Sequence, residues 1–164
     1  MEIINSNDIK KYIEICTSIA KLSKCKKSKR GVIIVDFYGN LISQANNLPV
    51  GVDICDPCLR TNLEGGTHLE LCRAIHAEDY AIQSALRNNP SKIKNSTLYH
   101  VKLDKGGEVS KFPGDPSCTS CSRIILLNEI KDVFLCGRLE SYLYNSNEFN
   151  NLSYQFHLGK MGKL

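Results

Sequence analysis

The chain predicts a three-layer α/β/α domain built on a mixed sheet, and three observations carry that expectation. A β-branched apolar run at residues 31–36, a Gly-Asn turn and a second short run at 41–45 form the pattern of a hairpin. Further on, helical patterns at 74–87 and 118–130 alternate with short apolar runs at 97–103 and 132–136, the order that lays helices against a sheet. The 164 residues contain no Pro/Gly/Ser-rich linker and no internal repeat, so residues 1–164 are expected to form one domain with its own core.

Taken in order, residues 7–24 place Ile9, Tyr12, Ile13, Cys16, Ile19 and Ala20 on one helical face, with Ser6 or Asn7 available as N-cap. Cys16 therefore reads as a core thiol. Residues 46–71 are irregular, with Pro49, Gly51, Pro57, Gly65 and Gly66, and they contain Cys55 and Cys58. A loop of that length inside a compact domain is functional or fastened by something. The helix at 74–87 presents the small face Ala77, Tyr80, Ala81, Ser84 and Ala85, and Asn88-Asn89-Pro90 ends it. Residues 104–115 are a glycine-containing excursion. From Arg138 onward the chain is rich in Asn and in aromatics, among them Tyr142, Tyr144, Phe149, Tyr154 and Phe156. Disordered segments are poor in aromatics, so this stretch is expected to pack as a last helix over the sheet or a neighbouring subunit.

A hydrophobic content of 42% and a charged content of 23% describe an ordinary soluble protein. The start lacks a basic n-region and an apolar h-region, and no apolar run reaches the length of a membrane span. The expectation is a cytoplasmic protein without a membrane partner. In a reducing compartment the eight cysteines read as metal ligands or core thiols rather than disulfides. Lys21, Lys24, Lys26, Lys27, Lys29 and Arg30 form a local basic run that suits a solvated helix end or a phosphate. The net charge of +4 is too modest to mark a nucleic-acid binder.

The chemistry concentrates in His76-Ala77-Glu78 and in Cys118 and Cys121. One imidazole and two thiols three apart are a ligand set for zinc with an open coordination position. If each group opens a helix, positions three apart share a face, and thiols near a helix N-terminus favour the thiolate a metal needs. Glu78 lies too close to its neighbouring ligand to bind the same ion easily, but it can reach a water there and carry a proton. A short H-x-E string alone is weak. A purely structural zinc would have no use for Glu78.

H-x-E combined with C-x-x-C resembles the zinc-dependent nucleobase deaminases. The stretch from Lys24 to Ile82 is further similar to deoxycytidylate deaminases of the cytidine/deoxycytidylate deaminase family. It holds Cys25, a basic run, Gly31-Val32-Ile33-Ile34-Val35, Cys55 and Cys58, and Glu70-Leu71-Cys72-Arg73-Ala74-Ile75-His76-Ala77-Glu78. The resemblance implies a cytidine-deaminase-like fold with a five-stranded mixed sheet, and often a homo-oligomer. It implies a catalytic zinc on His76, Cys118 and Cys121, with Glu78 as proton carrier and Ala77 beside the substrate. It also implies that an Asn after the second strand binds the sugar; Asn47 matches better than Asn46, and both suit a turn.

The expected reaction is hydrolytic deamination of a cytosine nucleotide, foremost dCMP to dUMP and ammonia. The alternatives are a free nucleoside or base, a base in nucleic acid, or a non-catalytic zinc module. Three features depart from the family pattern: Ser117 stands between Pro116 and Cys118, Tyr80 follows Glu78 by two positions, and residues 105–115 are long.

Four cysteines remain, Cys25, Cys55, Cys58 and Cys72, and four thiols can make one tetrahedral site. Cys55-Asp56-Pro57-Cys58 has the spacing of a zinc knuckle. A second, structural zinc is expected here, with His68 as an alternative ligand. Unliganded thiols and C-x-x-C redox chemistry are the other readings.

Overall fold

In the computed structural model, which describes residues 1–161, the chain runs β1 (Glu2–Asn5), α1 (Lys10–Lys21), β2 (Arg30–Val35), β3 (Leu41–Asn46), β4 (Leu48–Pro49), β5 (Ala74–Ile75), α2 (Ala77–Asn88), β6 (Thr97–Lys102), α3 (Thr119–Leu127), β7 (Asp132–Cys136), β8 (Glu140–Asn145) and α4 (Ser146–Met161). The main sheet has the order β1-β8-β7-β6-β2-β3, and β4 pairs with β5 beside it. Only β6 and β7 run parallel; every other neighbouring pair is antiparallel. That parallel pair needs a crossover, and residues 103–131 with α3 supply it.

β2 has its apolar run because it is covered on both faces. Val32 and Ile34 pack with α2, α3 and α4 around Ile82, Leu98, Ile125 and Phe149. Ile33 and Val35 face the other way, to Ile13, Cys16 and Ala20 of α1. Three layers follow from one alternating strand. Gly31 allows α1 to lie this close: a Cβ there would stand 2.1 Å from the Cys16 carbonyl oxygen.

The three-layer mixed α/β architecture agrees with the expectation, with one strand beyond five. Glu2–Asn5 adds an edge strand against β8, a segment too short to show a period of its own. Two local readings differ. Ser6 and Asn7 lie in a 3-10 turn ahead of α1, where the Asn5 side chain accepts from the Asn7 N–H at 3.0 Å. Ser6 is buried and donates to the Gly137 carbonyl instead. The aromatic tail is a strand and then a helix: β8 turns back on β7, and α4 buries Phe149 completely against Tyr144, with ring centroids 5.9 Å apart. None of the described helices is long and apolar enough to cross a membrane.

Candidate active site

Two helix N-termini meet at one end of the sheet. His76 is the N-cap residue of α2 and Cys118 that of α3, so a helix end with free backbone N–H groups and positive dipole stands behind each ligand. His76 Nδ1 lies 3.3 Å from the Cys118 sulfur and 3.4 Å from the Cys121 sulfur. Among the described residues this is the one group of three or more potential ligands whose donor atoms all lie within 4.8 Å of one another. Bond lengths of about 2.0–2.1 Å for Zn–N and 2.3 Å for Zn–S at a tetrahedral centre give donor separations near 3.6 Å, so the set fits zinc. Cys118 and His76 hold each other as a thiolate–imidazolium pair, and zinc bound here would displace the imidazole's proton. The bond from Cys121, and then His76, hold the Cys118 thiol down at about 4. Hydrogen bonds to Cys118 and Cys72 push the His76 imidazole up to about 10.

Glu78, on the first turn of α2, is 3% exposed, yet it stays ionised. Burial acts against its charge, but His100, His76, Arg30 and a hydrogen bond from Ser117 together hold it down at about 2. Burial also pushes His100 down to about 4, so at neutral pH His100 is uncharged. At neutral pH the support for the Glu78 carboxylate is then His76, Arg30 and the Ser117 hydroxyl, which donates to Glu78 Oε1. Ser117 is itself buried.

A cavity of about 200 Å³ opens over this centre, with His76, Glu78, Ser117 and Cys118 in its wall. Lys27, Arg30, Arg60 and Lys102 line it as well, as do Asp115, Phe156 and His157. Of the basic residues near the front of the chain, Lys26 pairs with Asp56 at the surface, while Lys27 and Arg30 turn inward. Arg60, Lys102 and His157 carry no local motif. Lys102 and His100 could have been suspected as polar positions two apart in an otherwise apolar strand, TLYHVK.

The loop between β4 and β5 closes one side of this cavity. Lys27 Nζ donates to the Arg60 and Leu63 carbonyls, and Arg60 Nε donates to the Thr67 carbonyl at 3.1 Å. From the far end of the chain, Lys160 donates to the Gly65 carbonyl and pairs with Glu64 at 3.4 Å. Gly66, at φ +85°, leaves room for His157, whose Cε1 would stand 2.7 Å from a Cβ there.

Cys25, Cys55, Cys58 and Cys72 all line the same cavity. Burial raises the Cys55 thiol, and Cys58, Cys25 and Cys72 raise it further. Among the described residues no three of these sulfurs lie within 4.8 Å of one another, and a hydrogen bond to His76 draws Cys72 down to about 7. His68 is exposed and contacts Glu70 at 3.3 Å.

Asn47 lines the cavity, and its amide organises the start of β2. Its oxygen accepts from Ser23 Oγ at 2.8 Å and from the Arg30 N–H at 2.9 Å, and its nitrogen donates to the Ser28 carbonyl at 2.8 Å. One Nδ2 hydrogen remains for a ligand. Asn46 is not in the wall, and its side-chain oxygen is buried without a partner among the described residues. Ala77 is fully buried at the start of α2, and Tyr80 packs against the core.

An α/β/α sandwich here presents an imidazole and two thiols from two helix ends, a set that could hold a metal ion, with a buried carboxylate beside them. The family described as the cytidine and deoxycytidylate deaminase zinc-binding region matches residues 6–136, and the chain belongs to it. It is a deaminase of that family. Solved structures show the same fold. The dCMP deaminase of cyanophage S-TIM5, in complex with dCMP and dUMP, is 19% identical, with 79% of this chain and 81% of that one covered and a TM-score of 0.55. Its apo form is 21% identical over 79% and 82% of the chains, at 0.54. The cytidine deaminase of Burkholderia pseudomallei is 16% identical over 85% and 94%, at 0.57. No curated protein matches the chain.

Proposed function

We propose that the chain deaminates a cytosine nucleotide hydrolytically, with dCMP the leading substrate, giving dUMP and ammonia. The observation that carries the nucleotide over the free nucleoside is the set of cations, Lys27, Arg30, Arg60 and Lys102, in the wall of the cavity that holds Glu78.

In this reading His76, Cys118 and Cys121 hold the catalytic zinc. When bound, zinc acts as a Lewis acid and makes hydroxide available at neutral pH. Glu78 takes one proton of the attacking water and passes it to the ring nitrogen as the oxygen bonds to the amino-bearing carbon; it then takes the proton left on that oxygen and gives it to the amine, the carbon–nitrogen bond breaks, and ammonia leaves with a carbonyl in its place. Ionised at neutral pH, it can accept that proton, and the buried, enclosed position lets it return the proton to substrate rather than solvent. Ser117 fixes which way the carboxylate points. Glu78→Ala is expected to abolish ammonia release and leave zinc content and folding intact; surviving turnover overturns the mechanism. Turnover of dCMP, deoxycytidine and cytidine, measured side by side, tests the substrate. Faster reaction of the free nucleosides rules out the nucleotide reading.

We further propose a second, structural zinc on Cys25, Cys55, Cys58 and Cys72, supported by the way all four thiols line one cavity and act on Cys55. Such an ion would draw the sulfurs together and tie the β4–β5 loop to the end of α1. Metal analysis of the purified protein should give close to two zinc per chain. One zinc in a fully folded protein sinks the proposal.

A further inference from the structure

We propose that Arg30 and Lys102 form an anion clamp in the cavity wall, with His100 holding Arg30 in place, and that the clamp takes the phosphate of a nucleotide. This rests on the deaminase reading above and assigns the substrate's charged end to named residues.

Elimination points to these two. Of the four cations in the wall, Lys27 is occupied by the carbonyls of Arg60 and Leu63, and Arg60, whose Nε donates to the Thr67 carbonyl, sits in the loop that these bonds hold. Both serve to fasten the loop. Arg30 opens β2 and Lys102 closes β6, and they are direct register partners across the antiparallel pair. Directly opposed residues send their side chains to the same face, and like charges placed so are destabilising. Among the described residues neither has a carboxylate within ion-pair distance. Burial, and then Arg30, lower the Lys102 ammonium from its ordinary value, and Asp115 in the same wall opposes them without reaching that distance. Two cations held side by side in a cavity, neither with an ion-pair partner, are a place for an anion of more than one charge.

His100 explains how Arg30 is aimed. Its Nε2 lies 3.2 Å from Arg30 Nη1, and it sits two residues before Lys102 on the same face of β6. A guanidinium can only donate, so this nitrogen must be the acceptor and the imidazole is neutral there. His100 is buried at 3% exposure, which makes it a rigid support. It takes one N–H of the guanidinium and leaves the others, in a fork suited to phosphate oxygens.

The test uses the zinc-loaded protein with Arg30→Gln and Lys102→Gln. Each should lower the ratio of kcat/KM for dCMP to that for deoxycytidine by about tenfold or more. Inorganic phosphate should bind the wild type, read by 31P NMR line broadening, and bind neither variant. His100→Gln, whose carbonyl can still accept from Arg30, should keep the ratio that His100→Leu loses. If both substrates lose alike, Arg30 serves only the Glu78 carboxylate and the clamp is wrong. Phosphate binding unchanged in the variants overturns it as well. If the wild type deaminates no cytosine nucleotide, the functional reading fails, and the phosphate titration still decides the clamp.

Discussion

Ser117 shows what one residue contributes. A buried carboxylate beside a metal site is worth little as a proton carrier if it can rotate away, and the Ser117 hydroxyl donates to one of its oxygens. A buried hydrogen bond to a charged group is worth about 1.5–3 kcal/mol. Ser117→Ala is therefore expected to lower kcat at least about tenfold while KM changes little. Ser117→Thr, which keeps the hydroxyl, should restore most of the rate. A loss in KM alone would show that Ser117 contacts substrate rather than positioning Glu78.

Among the elements, α1 and β2 set how closely the layers pack. With Gly31 facing the Cys16 carbonyl and the Ala20 N–H, the helix lies directly on the strand backbone. Gly31→Ala is expected to destabilise by at least about 2 kcal/mol, since both close neighbours are main-chain atoms that cannot turn aside. Gly65→Ala is the control: a methyl there would meet nothing within 4 Å, so a change within about 0.5 kcal/mol is expected. Urea midpoints of the two variants check both values. The excursion after β6 is fastened in the same direct way, by Arg138 N–H to the Ser110 carbonyl and Leu139 N–H to that of Lys111. That fastening delivers Pro116 and Ser117 to the cavity.

Across the molecule, His100 couples stability to pH. Its folded pKa, about 4, lies below the ordinary 6.5 because burial disfavours the charged form. As pH falls through 6.5 the unfolded chain takes up a proton that the folded one refuses. The stability this site contributes is thus complete above about 6.5 and is lost progressively down to about 4, on the order of 3 kcal/mol. Glu78, held at about 2, adds a further loss only below its ordinary 4.5. Denaturant midpoints between pH 7 and 4.5 should fall for the wild type and stay nearly level for His100→Gln. An equal slope in both would place the acid sensitivity elsewhere.

The grouping of His76 with Cys118 and Cys121, beside Glu78, was legible in the chain because each pair has local spacing at the N-terminus of one helix. The hairpin and the helices were legible from apolar periodicity for the same reason. β8 was not, because in ESYLYN the alternation is broken by partly buried aromatics and it reads as tail. Nor could the wall of the cavity be read. Arg30 and Lys102 become neighbours only through the β2–β6 register, and His157 reaches Gly66 only once α4 has folded back over the sheet. Layer architecture and the pairs of candidate metal ligands depend on patterns a few residues long, so the order of amino acids is enough to specify them. Which cations, which hydroxyl and which loop surround that chemistry is settled by folding, because strand register and helix packing bring together residues with no periodic relation along the chain.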